Sequence, residues 1–214
     1  MFKIIARSKF LLIYSAIFLV LTPGRVYPRE DPLVNRPEYK EAYARLGAKD
    51  YKGAIDILEK ILKPSTQSAG LHYAMAKAWH ELGDNKKALH NYDKSIALDS
   101  QNPIAFSNRG LIHGVMRNLK AAVADFDKAI SIDPRYDHAY SNRGVARGAL
   151  GDIKGALADF SKAISINPRF GSAWRNRGIS REINGDLKGA CADWRKAANL
   201  GQPEAASWVK IQCY

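Results

Sequence analysis

A step of 34 residues relates one part of this chain to the next. Residues 106–134 read FSNRGLIHGVMRNLKAAVADFDKAISIDP, and residues 140–168 read YSNRGVARGALGDIKGALADFSKAISINP. A repeat of this length limits the fold to stacked copies of one supersecondary unit, because each copy buries its apolar face only against its neighbours. The columns that align at this step are Gly110, Gly144 and Gly178; Ala88, Ala122, Ala156 and Ala190; Tyr92, Phe126, Phe160 and Trp194; and Ser95, Ala129, Ala163 and Ala197.

Each unit contains two stretches in which apolar residues recur at helical spacing. A glycine followed by an aspartate, or a near equivalent, separates the two stretches. The glycine permits a turn, and the aspartate caps the helix that follows. Each unit is therefore predicted to be a helix hairpin. The separating pairs are Gly83-Asp84, Gly151-Asp152 and Gly185-Asp186, with Arg117-Asn118 at the equivalent place.

These columns resemble the tetratricopeptide repeat, whose unit carries a Leu-Gly pair, a Tyr, an Ala, an aromatic residue and a Pro in fixed order. The resemblance implies an all-α fold, an α-solenoid of about five helix hairpins. Arginine replaces leucine before the glycine, and Ser100 and Gln202 stand where proline is expected. The predicted array is 35–204, with a degenerate unit at 35–68, complete units at 69–102, 103–136, 137–170 and 171–204, and a capping helix at 205–214.

The tetrapeptide Ser-Asn-Arg-Gly occurs at 107–110 and 141–144, and Arg-Asn-Arg-Gly occurs at 175–178. The glycine lets the two helices approach closely. The arginine takes an apolar place that lies opposite an aspartate in the folded hairpin. We expect partly buried ion pairs, since a guanidinium and a carboxylate bind each other in two-pronged geometry; a role for these arginines in a binding groove stays open. The pairs are Arg109 with Asp125, Arg143 with Asp159, and Arg177 with Asp193.

The asparagines of these tetrapeptides, Asn108, Asn142 and Asn176, are the candidates for ligand binding. An amide can donate to a peptide carbonyl and accept from a peptide N–H, so a row of asparagines reads extended backbone irrespective of sequence. The resemblance implies such a row along the concave groove. The alternative is that each asparagine bonds only its own helix. The predicted groove also includes Lys77, Ser107, Leu111, His138, Ser141, Val145, Ser172, Arg175 and Ile179.

The N-terminus has the features of a secretory signal peptide. Three basic residues and no acid occupy the first ten residues, an apolar run follows at 10–21, and TPGRVYP then breaks any helix. We predict a signal peptide over 1–24 and a linker over 25–34, with export to the periplasm or the medium. An uncleaved membrane anchor is the alternative, and membrane association would then run through this segment.

The two cysteines of the chain, Cys191 and Cys213, lie on either side of the turn that precedes the capping helix. Helices of similar length joined at that turn bring the two side by side. In an exported protein this predicts a disulfide that fastens the capping helix. The alternative is a pair of buried thiols.

No enzyme, cofactor or metal site is predicted. The five histidines are not spaced with cysteines or carboxylates as metal ligands are, and no phosphate loop or nucleophile motif occurs. Basic residues are interspersed along the chain, so no nucleic acid is expected. We predict a protein-interaction module that binds an extended segment of a partner; the partner's identity and self-association stay open. One alternative is an assembly scaffold that acts through its convex face or through the capping helix at Trp208, Val209, Ile211 and Tyr214. Another is binding to an anionic polymer or lipid surface, whose affinity would fall steeply with salt.

Overall fold

The structure is a computed structural model that describes residue 33 and residues 35–63 and 67–213. The predicted signal peptide, most of the predicted linker, and Tyr214 of the predicted capping helix lie outside these residues. The described residues form helices and no strand, which confirms the all-α prediction. The described part of the chain contains eleven helices: α1 (Pro37–Gly47), α2 (Tyr51–Ile61), α3 (Ala69–Glu81), α4 (Asn85–Leu98), α5 (Pro103–Val115), α6 (Leu119–Ile132), α7 (Asp137–Ala149), α8 (Ile153–Ile166), α9 (Gly171–Ile183), α10 (Leu187–Asn199) and α11 (Pro203–Gln212).

The described helices fall into two compact units, and helix α5 contains the boundary between Ile112 and His113. In the N-terminal unit, α1 packs on α2, α2 on α3, and α3 on α4. In the C-terminal unit each helix from α6 to α10 packs on the one that follows it. Both units are built from consecutive helix pairs, as the repeat predicts.

The turn inside each hairpin has a residue in the left-handed backbone conformation, at the same position of each repeat. Gly83, Gly151 and Gly185 have φ values of 81°, 89° and 88° there. Arg117 takes the same conformation with φ 64°, so the departure from Gly-Asp in that unit does not abolish the turn. After the three glycine turns an aspartate accepts a hydrogen bond from the backbone N–H three residues on, as an N-cap does.

In the C-terminal unit, the glycine that ends the Asn-Arg-Gly motif lies against the aromatic side chain of the second helix, as Gly144 and Gly178 show. A Cβ added to Gly144 would lie 2.9 Å from Phe160 Cε1. A Cβ added to Gly178 would collide with the indole of Trp194, which is fully buried. This close approach explains why the aligned place holds glycine although glycine lowers helix propensity.

We expect Gly178→Ala to lower the free energy of unfolding by about 2 kcal/mol, because the added methyl group overpacks a core whose indole has no room to move. Denaturant unfolding measures the change. Gly47→Ala is the control, since no atom lies within 4 Å of a Cβ at that helical glycine. Helix propensity alone would favour both alanines. A Gly178→Ala protein as stable as the Gly47→Ala protein would show that the helix approach is not limiting.

Candidate functional site

Two of the three asparagines lie on α7 and α9, the first helices of consecutive hairpins in the C-terminal unit. Asn142 is partly buried, and Asn176 is only 4% exposed. Among the described residues, the side-chain nitrogen of Asn176 has no hydrogen-bond partner. Asn142 likewise makes no side-chain hydrogen bond to any described residue. Buried amides in folded proteins almost always find partners, so the Asn176 nitrogen is an exception among the described residues.

Arg175 adds a cation beside this donor. Its Nε lies 3.4 Å from Asn176 Oδ1, and its terminal nitrogen lies 3.4 Å from Glu204 Oε2 in the first turn of α11. Burial lowers the pKa of the Arg175 guanidinium, and the Glu204 carboxylate opposes that effect. The Arg175 side chain is 12% exposed, against 54% for that of Glu204. This end of the unit therefore combines one unused amide donor with a partly paired cation.

His138 is held by polar contacts at the start of α7. Its Nδ1 lies 2.8 Å from Asp137 Oδ1, and Asn167 donates to Asp137 Oδ2 at 2.8 Å. Burial acts to raise the pKa of Asp137, but the hydrogen bonds from His138 and Asn167 outweigh it, so that this pKa is lowered. The His138 ring also packs on the ring of Phe170, with ring centroids 4.6 Å apart. Ser141, one turn further along the helix, is buried.

The third asparagine, Asn108, belongs to the N-terminal unit and differs from the other two. Its Nδ2 donates to the hydroxyl of Tyr73 on α3 at 3.1 Å. Asn108 and Ser107 are buried, and Lys77 is partly buried. The sequence analysis missed Tyr73, although its place in the repeat is the one that Ser107 holds in the next unit. The bond joins α3 and α5, the first helices of two consecutive repeats. It therefore does not match the alternative in which asparagine bonds its own helix.

Two of the expected arginine–aspartate pairs lie within the C-terminal unit. Arg143 Nε donates to Asp159 Oδ2 at 2.9 Å, and its terminal nitrogen donates to Oδ1 at 2.6 Å. Arg177 makes the same two bonds to Asp193, both at 2.8 Å. Asp159 and Asp193 are 3% and 1% exposed. Each guanidinium thus neutralises a buried carboxylate through two parallel bonds.

Arg109 and Asp125 lie in different compact units, and their pairing stays a prediction. Arg109 nevertheless reveals a contact that the sequence analysis missed. Each arginine of the Asn-Arg-Gly motif also donates to a side chain sixteen residues before it, on the second helix of the preceding hairpin. These arginines therefore join consecutive repeats. The contacts are Arg109 to Asp93 at 2.7 Å, Arg143 to Asp127 at 2.6 Å, and Arg177 to the Ser161 hydroxyl at 3.2 Å.

The buried aspartates accept from a second arginine one helical turn further along. Arg147 donates to Asp159 Oδ2 at 2.9 Å. Arg181 lies 3.0 Å from Asp193 Oδ1. Two cations thus surround each of these buried carboxylates.

The capping helix α11 is fastened to α10 in two ways. A disulfide joins Cys191 to Cys213, with their Cα atoms 5.6 Å apart. Trp208 packs on Trp194 with ring centroids 5.4 Å apart. Ile211 on the same helix is 75% exposed.

The described residues hold no group of three His, Cys, Asp or Glu side chains that could bind a metal ion. Within the same residues, every helix is too short or too polar to cross a lipid bilayer.

Known proteins share these repeats and this arrangement of helix hairpins. Family models of the tetratricopeptide repeat match residues 76–114, 105–136 and 138–170. Tetratricopeptide repeat protein 1 of Schizosaccharomyces pombe is 27% identical over 95 residues, which make up 43% of this chain. The match spans 9% of the length of that curated relative.

Solved structures of MamA have the same fold. One MamA crystal structure has a TM-score of 0.70 at 24% identity, covering 77% of this chain and 96% of the MamA chain. A second MamA structure has a TM-score of 0.70 at 22% identity, covering 82% of this chain and 96% of the other. MamA 41-end from Desulfovibrio magneticus RS-1 has a TM-score of 0.70 at 19% identity, covering 76% and 92%. The chain therefore carries tetratricopeptide repeats across residues 76–136 and 138–170, in an all-α solenoid fold built from helix hairpins.

Proposed function

We propose that this protein is a non-enzymatic interaction module that binds an extended peptide segment of a partner protein along its first helices. Tetratricopeptide repeats suggest a protein-interaction role in general. The observation that supports peptide binding in particular is the buried Asn176 amide, whose nitrogen has no hydrogen-bond partner among the described residues. A peptide carbonyl would satisfy that donor.

The bound peptide would be held by its backbone. Asn142 and Asn176 occupy the same place in consecutive hairpins, and each amide can donate to a carbonyl and accept from an N–H. Such contacts do not depend on the side chains of the peptide. Arg175 would add a preference for an acidic residue near Asn176, because a second carboxylate would compete with Glu204 for its guanidinium.

The remaining predicted groove residues are secondary to these two in the proposal. Asn108 is a separate candidate within the N-terminal unit, where a peptide would have to compete with the Tyr73 hydroxyl for its amide. His138 and Ser141 would border a peptide bound in the C-terminal unit, and Lys77 and Ser107 belong with Asn108 in the N-terminal unit.

A scaffold role through the capping helix is the second candidate. The exposed Ile211 favours it, because a large apolar side chain with 75% of its surface in water gains free energy by docking. Its neighbour Trp208 is partly buried against Trp194. A partner or a second copy of the chain would dock there without using the asparagines.

We further propose that the protein is exported. The sequence of residues 1–24 has the charge, the apolar run and the breaker of a secretory signal. The Cys191–Cys213 disulfide supports an oxidising compartment. An uncleaved anchor formed by the same segment is the alternative.

A random peptide library tests the proposed binding. Peptides selected on the wild-type protein should bind the Asn142→Ala/Asn176→Ala variant on the order of 30-fold more weakly, because about two neutral hydrogen bonds are lost. Titration calorimetry with one selected peptide measures the affinity. Asn199→Ala is the control, since Asn199 is exposed at the end of a second helix. Equal affinity for both variants would refute the asparagine row and leave the capping helix as the candidate surface.

A further inference from the structure

Lysine recurs at two places in the second helix of every unit, including the degenerate first unit. The two places are eight residues apart, which is about 12 Å along a helix. All ten lysines are exposed. They are Lys52, Lys86, Lys120, Lys154 and Lys188 at the first place, and Lys60, Lys94, Lys128, Lys162 and Lys196 at the second.

Six of these lysines lie in the C-terminal unit and are called the lysine face: Lys120 and Lys128 on α6, Lys154 and Lys162 on α8, and Lys188 and Lys196 on α10. None of the six forms an ion pair or a side-chain hydrogen bond with another described residue. The acids of this unit are engaged by other groups instead. Asp159 and Asp193 bind arginines, and Asp152 and Asp186 cap helices. These lysines therefore have no ion-pair partner among the described residues.

The rest of this face is small and carries little negative charge. Among the exposed residues of α6, α8 and α10 the single acid is Asp127, which accepts from Arg143. Arg195 adds a further cation. Between the lysines lie exposed alanines and serines, whose side chains are short compared with lysine. These small residues are Ala124, Ala158, Ala192, Ser131, Ser161 and Ser165.

We propose that the lysine face binds the acidic headgroups of a phospholipid bilayer. Lysines near an anionic membrane surface each add to the affinity, and long lysine side chains among short ones can reach the headgroups without obstruction. Proteins that bind single-stranded nucleic acid use exposed aromatic side chains on which the bases stack. The aromatic side chains of α6, α8 and α10, which are Phe126, Phe160 and Trp194, are all buried. The face lies on the second helices, so the proposal is independent of the asparagines.

Vesicle sedimentation with the full chain tests this proposal. The test variant carries glutamine at Lys154, Lys162, Lys188 and Lys196. The control variant carries glutamine at Lys52, Lys60, Lys86 and Lys94, which occupy the same places beside the exposed acids Asp56, Glu59 and Asp93. Both variants lose the same charge and keep the same N-terminal segment. The vesicles contain phosphatidylcholine with phosphatidylglycerol, or phosphatidylcholine alone.

The test variant should bind the phosphatidylglycerol vesicles on the order of 100-fold more weakly than the wild type. The control variant should lose much less, and added salt should weaken the wild type more than the test variant. Two outcomes would overturn the proposal. One is an equal loss in both variants, which would show an effect of net charge alone. The other is lysine-dependent binding to a single-stranded oligonucleotide that is tighter than binding to the vesicles.

Discussion

Replacing Arg143 with alanine is expected to lower the free energy of unfolding by about 3 kcal/mol, because the change removes two of the three hydrogen bonds from arginine to the buried Asp159 carboxylate. Arg147 remains as a donor, which places the effect at the lower end of the range for a broken buried pair. The lost bond to Asp127 adds little, since that carboxylate is half exposed. Denaturant unfolding of the purified variant measures the loss.

A double-mutant cycle isolates the pair from other effects of the truncation. Arg143→Ala should cost much less in an Asp159→Asn protein, because no buried charge is then left without its partner. Arg135→Ala removes an arginine that is exposed after α6 and serves as the control. If Arg143→Ala and Arg135→Ala proteins unfold at the same denaturant concentration, the pair does not hold the hairpins together.

Loss of the disulfide should lower the free energy of unfolding by a similar amount. Cys191→Ser/Cys213→Ser is expected to lower the free energy of unfolding by about 3 kcal/mol, since the bond closes a loop with a sequence separation of 22. The effect should be local, because each repeat contacts only its neighbours. Hydrogen exchange of α11 measures it, and amides of α11 should exchange faster than those of α7.

Reductant provides the matched control for this prediction. It should destabilise the wild type as much as the double substitution does and leave the double variant unchanged. Trp208 packed on Trp194 would then be the main remaining attachment of the capping helix. An α11 that stays equally protected with and without reductant would show that apolar packing alone holds the helix.

The repeat made the hairpins predictable because each aligned residue has one physical role in every copy. The turn residues and the glycine beside Trp194 follow from local geometry, and the structure places them accordingly. The Arg117 turn is less apparent in the sequence, since arginine rarely adopts a positive φ. It follows from alignment with the glycines of the other units.

Contacts between repeats were harder to predict than contacts inside one. Within one hairpin, the positions that face each other identify Asp159 as the partner of Arg143. They do not identify Asp127, which lies on the preceding hairpin. The signal was present, because Asp93 and Asp127 each stand sixteen residues before an arginine. Tyr73 had no such signal, since no later unit repeats the tyrosine at that place.

Charge counted along the chain also conceals the lysine face. Each complete unit has a net charge between 0 and +2 because its acids and bases nearly balance. The structure separates them by depth. Asp159 and Asp193 are buried with arginines, whereas the lysines at the two repeated places stay in water. Whether a charged side chain is buried or exposed depends on which partners the fold places beside it.

The side-chain amide of Asn176 provides the most direct test of peptide binding by this protein. In an NMR titration of isotope-labelled protein with a library-selected peptide, the Asn176 side-chain amide signals should move and saturate with the affinity measured by calorimetry. The Asn199 signals should stay in place. Saturating binding that leaves the Asn176 side-chain signals unmoved would contradict the proposal that this buried amide holds the peptide backbone.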